Sequence, residues 1–205
     1  MKPKAFFLML TLLVVTTAAC FAQTNITLVF PPGYSLAANP LNSTNNRVPN
    51  IFPDPPDYCT IFFRNPAGTG YGGETYEADY GGWDDPTLQL QPGDGFFIFN
   101  PSVQNYTNTF YGEALLCSTN IIPKGFSIRS QAFPTNSLVN FPVSYGDTFF
   151  FYTRKGNNYA YNSTTYDPDI PGWSNGEPKP KVGESFWIHH SGSATNWIIC
   201  LTNSP

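Results

Sequence analysis

The chain has 205 residues, 41% of them hydrophobic, 17% aromatic and only 12% charged. That is apolar enough to build a core, which excludes wholesale disorder, and 17 Gly and 20 Pro exclude long helices, whose interiors they disrupt. A formal net charge of −4 and a pI near 5.0 leave no basic footprint for nucleic acid and no basic amphipathic stretch for an anionic membrane.

The first stretch, "MKPKAFFLMLTLLVVTTAACFAQ", reads as a secretory signal over residues 1–23. Lys2 and Lys4 supply the charged start, and Ala5 to Val15 form an apolar run too short for a typical membrane span. Cys20 to Ala22 form an A-x-A-like cleavage site. "TTAAC" also resembles a bacterial lipobox ending at Cys20, without its usual Leu, so lipidation of Cys20 is the alternative. Either route exports the protein, to the medium or the cell surface, with no transmembrane span left in the mature chain. Cys59, Cys117 and Cys200 then remain in an oxidising compartment, enough for one internal disulfide and one leftover thiol. Which two would pair is open.

From residue 24 onward the sequence repeats itself. "PPGYSL" (Pro31 to Leu36) aligns with "PKGFSI" (Pro123 to Ile128), and "CTIFF" (Cys59 to Phe63) with "DTFFF" (Asp147 to Phe151). "YGGETYEADYGGW" (Tyr71 to Trp83) aligns with "YNSTTYDPDIPGW" (Tyr161 to Trp173). "GDGFFIF" (Gly93 to Phe99) follows, on "GESFWIH" (Gly183 to His189), and Thr107–Asn108 falls on Thr195–Asn196. The offsets stay between 88 and 92, so the chain reads as a tandem duplication with copies at 24–114 and 115–205. In this alignment Cys59 faces Asp147 and Cys200 faces Gly112.

The blocks read as strands. Phe96 and Ile98 alternate with Phe97 and Phe99, as Phe186 and Ile188 alternate with Trp187 and His189. The strictly apolar face predicts the core; the aromatic, variable face predicts a second packed layer or a partly exposed surface. "TIFFR" and "TFFFY" are continuous enough to be buried on both faces. Gly33, Gly93, Gly125 and Gly183 precede strands where turns need positive φ. "IFPDPPDY" (Ile51 to Tyr58) and "NGEPKPKVG" (Asn175 to Gly183) read as extended connectors. The expectation is an all-β fold of two antiparallel modules of roughly 90 residues, each sandwich or barrel-like. With no linker between them, the copies should pack by a pseudo-two-fold across an apolar interface.

"GYSLAANPLNSTNN" followed by "PGDGFFIFNP", and "GFSIRS" followed by "VGESFWI", carry a resemblance. They are similar to uncharacterised secreted bacterial β-repeat proteins of Verrucomicrobia and, more distantly, exported modules of Bacteroidetes. The shared signature is G-[WYF]-[SN]-L-x-x-N-P, then P-G-[DEQ]-[GA]-F-[FW]-[IV]. The resemblance covers nearly all of the mature chain and implies export, but no activity. "IRSQAFP" (Ile128 to Pro134) stands where the first copy keeps Asn39–Pro40, so a role of that pair belongs to the first half.

Chemistry is sparse. "GYSLA" lacks the last glycine of a nucleophile elbow. His189 and His190, the only histidines, point to opposite faces of a strand, and their counterparts are Phe99 and Asn100. Glu74, Glu77, Asp79, Asp84, Asp85, Asp167, Asp169 and Glu177 could supply a glycosidase pair. Asp79 matching Asp169, and Asp94 matching Glu184, suit turn and cap hydrogen bonds better. Calcium in such acidic loops is the one cofactor to consider. Trp83 and Trp173 occupy equivalent loop positions near Tyr76 and Tyr166. Together with Asp79 and Asp169 they are the candidate ligand-binding residues, presenting flat rings to sugars; the competing reading is that the Trp rings cap the core. Four sequons, at Asn25, Asn42, Asn105 and Asn162, matter only in a eukaryotic secretory route. The reading is therefore an exported, non-enzymatic structural, adhesive or ligand-binding protein whose partners would be polysaccharides or cell-surface proteins. A small glycoside-active enzyme using the acidic loops is the rival from another class.

Overall fold

The computed structural model describes residues 24–64, 70–115, 117–131, 138, 140–155, 158–170 and 172–200; the expected signal, with Cys20, lies outside them. In chain order come β1 (Thr24–Phe30), β2 (Gly33–Ala38), one helical turn α1 (Val48–Ile51), β3 (Thr60–Arg64) and β4 (Tyr71–Glu77). A 3₁₀ turn (Ala78–Tyr80), β5 (Gly82–Trp83), β6 (Gly95–Asn100) and β7 (Tyr106–Gly112) complete the first half. The second holds β8 (Cys117–Ile122), β9 (Gly125–Ser130), β10 (Thr148–Lys155), β11 (Asn158–Asp167), β12 (Gly172–Trp173), β13 (Ser185–His190) and β14 (Thr195–Cys200). The protein is all-β, and every strand pairing is antiparallel.

Both halves use one pattern of pairing. The first has a five-stranded sheet β2-β6-β3-β4-β5 and a ribbon β1-β7; the second has β9-β13-β10-β11-β12 and β8-β14. Each ribbon packs on one face of its own sheet, giving a small sandwich. In the first half Phe30, Tyr106 and Phe110 of the ribbon meet Ile61, Phe96 and Ile98 of the sheet. Phe52 sits among them, with ring centroids 5.4 Å from Phe110 and 5.9 Å from Phe96. In the second half Phe149, Phe186, Ile188, Trp197 and Ile199 do the same work. The strictly apolar face of β6 and β13 is thus the core face, and burying one such side chain contributes roughly 1.5–3 kcal/mol.

The opposite face of β3 departs from the expectation of burial on both sides. Ile61 is buried on the core face, where Phe63 packs partly covered at its margin, whereas Phe62 on the other face is only partly covered. Phe52 is a second departure: the segment expected to be a plain connector starts in α1 and carries the central ring of the first core.

The halves meet at a reciprocal seam. Ala37 bridges Glu184, and the aligned pair Arg129 and Asp94 bridges likewise. The Ala38 N–H donates to the Gly183 carbonyl at 2.9 Å, and the Ser130 N–H donates to the Gly93 carbonyl at 2.9 Å. Contacts that return with their roles exchanged are what a two-fold relation imposes. The glycines make the approach possible. Gly93 and Gly183 have φ of 101° and 74°, and a Cβ on them would overlap Asn120 and Leu28, which are themselves aligned. Gly95 faces Ser185 across the seam, where an added Cβ would lie 2.7 Å from the Ser185 Cβ and overlap Ile128.

A disulfide joins Cys117 to Cys200 across the β8-β14 ribbon, at directly opposed positions. By strand register its counterpart in the first half is the Asn25–Tyr111 pair, one residue away from the alignment of Cys200 with Gly112. Closing a sequence separation of 83 residues stabilises by about 4.5 kcal/mol in the chain-entropy treatment. Replacing both cysteines by serine should lower the unfolding free energy by about 2–5 kcal/mol in urea denaturation. An unchanged midpoint would mean that the ribbon is held by packing alone. Gly95→Ala should cost about 1–3 kcal/mol through overpacking at the seam; the same denaturation measures it.

Candidate functional site

The two aromatic sheet faces turn toward each other. Phe97 of β6 meets Tyr152 of β10 edge to face at 5.6 Å, and Tyr71 of β4 meets Trp187 of β13 at 5.9 Å. The aligned counterpart of Phe97–Tyr152 is Trp187–Arg64, and there the Arg64 guanidinium carbon stands 5.9 Å from the Trp187 ring centroid. One packing position thus holds an aromatic pair on one side and a cation on an indole on the other.

Around Trp187 the faces leave a cleft of about 540 Å³, lined by Arg64, Phe126, Phe150, Tyr161 and Trp187. Phe126 is 49% exposed and Tyr161 48%, so both rings are reached from solvent. Phe126 lies 6.1 Å from Phe150 and 6.3 Å from Trp187, so three rings line one wall. Partial burial pushes the Tyr161 hydroxyl up from its ordinary pKa, with the Trp187 indole acting against it. Burial also raises Tyr71, opposed by Arg64. On the first half Tyr34 packs on Phe99 at 4.8 Å, as Phe126 packs on His189 at 4.7 Å, and Tyr152 covers Phe97.

The structure separates the residues expected to bind ligand. Trp83 is 7% exposed; its indole N–H donates to the Phe52 carbonyl at 3.1 Å and its ring packs on Tyr76. It caps the first core and offers no face to a sugar. Trp173 is half-buried against Phe149 and Tyr166, with centroids 5.4 Å and 5.2 Å away. Asp79 and Asp169 are exposed at the turns beyond these pairs. Trp187 was visible in sequence as a residue of the aromatic face, but its neighbours across the cleft come from the other half, which only the tertiary structure supplies.

The acidic loops serve the backbone. Asp85 accepts from the Thr87 N–H at 2.8 Å and its hydroxyl at 2.6 Å, bonds that hold its carboxyl below the usual range. Glu74 accepts from the Asp85 N–H at 2.8 Å, Asp167 from the Asp169 N–H at 2.9 Å, and Glu184 from the Lys181 N–H at 2.8 Å. Among the described residues, no group of three or more His, Cys, Asp or Glu is arranged to hold a metal ion. The Asn39–Pro40 motif is also architectural. Asn39 is fully buried, donating to the Leu90 carbonyl at 2.9 Å and accepting from the Leu41 N–H at 3.2 Å.

His190 is not a surface residue but a buried one, with Asp147 beside it. Its Nδ1 lies 3.0 Å from both Asp147 carboxylate oxygens, and its Nε2 lies 2.9 Å from the Ser193 carbonyl oxygen. Ser144 and Ser191 N–H groups donate to the same carboxylate, each at 2.8 Å. Because Nε2 faces a carbonyl and not a hydroxyl, the group has no nucleophile to activate. It clamps the β13-β14 turn, as Asn100 clamps the β6-β7 turn by donating to the Phe30 and Gln104 carbonyls. The position of Asp147 is taken in the first half by Cys59, also fully buried, whose thiol burial pushes up to about 12. Comparison with protein-family models, with curated proteins and with solved structures finds no match to this chain.

His190→Ala should destabilise the protein by about 3–5 kcal/mol, since it strands a buried carboxylate. His190→Asn with Asp147→Ser, which imitates the neutral first half, should recover much of that loss in the same denaturation assay. Cys59 should resist thiol reagents at mildly alkaline pH until the protein unfolds. Its unfolded thiol ionises near 9.0 and its folded one near 12, so its contribution to stability falls as pH rises through that window.

Proposed function

We propose that the protein is exported, is not an enzyme, and binds a saccharide in the aromatic cleft around Trp187. The observation that carries this reading is the cleft itself: four aromatic rings and one guanidinium line a concave surface reached from solvent. Sugar rings present flat C–H faces that stack on such rings, and pocket-forming aromatics with a few convergent polar groups are the common design of small-ligand sites. Export is supported by the signal-like sequence of residues 1–23 and by the Cys117–Cys200 disulfide, which belongs in an oxidising compartment. No helix among the described residues is long and apolar enough to cross a membrane. The equal pattern of pairing in the two halves fits an origin by duplication, after which the second half kept an open aromatic face.

Purified protein should be retarded by polysaccharides in affinity gel electrophoresis. Phe126→Ala, at an exposed position, should weaken that retardation about tenfold, since it removes one of the rings on which a sugar would stack. Trp83→Ala should affect stability but not affinity per folded molecule. Retardation that survives both Phe126→Ala and Trp187→Ala in folded protein would contradict the assignment.

A further inference from the structure

A second, larger cleft adjoins the aromatic one and shares Arg64 and Phe126 with it. Its volume is about 730 Å³, and it lies where the Leu88–Gly95 segment of the first half meets β9 and the turn before it. Three of the chain's ten lysines and arginines, Arg64, Lys124 and Arg129, line this one cleft, against a single carboxylate, Asp94. In a protein of net charge −4 that is a local reversal of sign. Concave surfaces lined by one sign of charge concentrate ligands of the other.

Arg129 is built in place. Its Nε and one terminal nitrogen donate to the Ile121 carbonyl at 3.1 Å and 2.9 Å, and the other terminal nitrogen donates to the Ile128 carbonyl at 2.8 Å. A guanidinium has five N–H groups, so three fix its plane and two remain for an anion. Burial raises the Asp94 carboxyl while Arg129 draws it down, and burial in turn pulls Arg129 down. Ser127 also lines this cleft; its side chain is 1% exposed and its hydroxyl has no hydrogen-bond partner among the described residues. Lys124 is exposed at the rim.

We infer that the saccharide is acidic, a chain of sugars bearing carboxylate or sulfate groups. Its rings stack in the aromatic cleft and its anionic groups lie against Arg64, Lys124 and Arg129 in the adjoining one. This inference rests on the saccharide reading above and deepens it. Arg64 stands at the junction, over Trp187 on one side and in the charged cleft on the other. The pairing of stacked ring and adjacent cation selects a charged sugar over a neutral one of the same shape.

The test is affinity electrophoresis and calorimetry of the whole protein with polygalacturonate, dextran sulfate and a neutral glucan. Polygalacturonate or dextran sulfate should bind at least about tenfold more tightly than the neutral glucan, and that preference should shrink as salt screens the cations. Lys124→Gln, at an exposed site outside the aromatic cleft, should reduce the preference while the neutral glucan binds as before, and Lys124→Gln with Arg64→Gln should abolish it. Which of the two anionic polymers prevails identifies carboxylate or sulfate as the group recognised. Equal binding of charged and neutral polymers, indifferent to salt and to both substitutions, would overturn the acidic specificity and leave the aromatic site intact. Anionic binding that Phe126→Ala and Trp187→Ala do not weaken would overturn the proposed two-cleft path. No binding of any of the three would overturn this inference and remove its support from the saccharide reading as well.

Discussion

Close backbone approach at the seam between the halves governs the rest of the molecule. Where Ala37 meets Glu184 and Asp94 meets Arg129, main chains come within hydrogen-bond distance, which side chains at Gly93, Gly95 and Gly183 would prevent. The phrase containing Gly93, and its copy at Gly183, therefore specify both a strand and the contact that sets one half against the other. With the seam fixed, the aromatic faces of the two sheets converge, and the packing of Phe97 on Tyr152 and Trp187 on Arg64 follows. Both clefts lie along that convergence, so the candidate site is a product of the interface between halves and belongs to neither alone.

Pairing the same way has not made the halves chemically equal. On the first half, Tyr34, Phe99, Phe97 and the incoming Tyr152 fill the aromatic face with rings. On the second, Arg64 stands over Trp187 where the first half has Tyr152 on Phe97, and a cavity remains beside it. The same divergence runs through the buried polar positions. Cys59 with Asn100 is a neutral pair of sites, whereas Asp147 with His190 is joined through both carboxylate oxygens. There the two residues depend on each other, since Asp147 without His190 would be a buried carboxylate held by N–H groups and one hydroxyl alone.

Much of the fold was legible because period-2 alternation reports directly which side of a strand is buried. Phe96, Ile98, Phe186 and Ile188 were expected in the core and are all 0% exposed. Gly33, Gly93, Gly125 and Gly183 were expected at positive φ and have it. What escaped was whatever depended on partners distant in sequence. Phe52 looks like part of a Pro-rich connector until the sheet it packs under is present. Trp197 seemed aligned beside Asn108, but strand register places it in the position of Asn108 itself, where it fills the second core. Of the site, Trp83 and Trp173 were drawn from a loop whose sequence matched in both copies. Trp83 and Trp173 both pack on a core ring of their own half, and the cleft lies where the two halves differ in sequence.

Tryptophan fluorescence gives the most direct check on where ligand sits, because Trp83 and Trp197 are buried and Trp187 lines the cleft. Oligogalacturonate would be titrated into the protein, into a Trp187→Phe variant and into a Trp173→Phe variant. The account predicts a saturable change in emission that Trp187→Phe eliminates and Trp173→Phe leaves in place. A change that persists without Trp187 and vanishes without Trp173 would contradict it and return the binding surface to the duplicated loops.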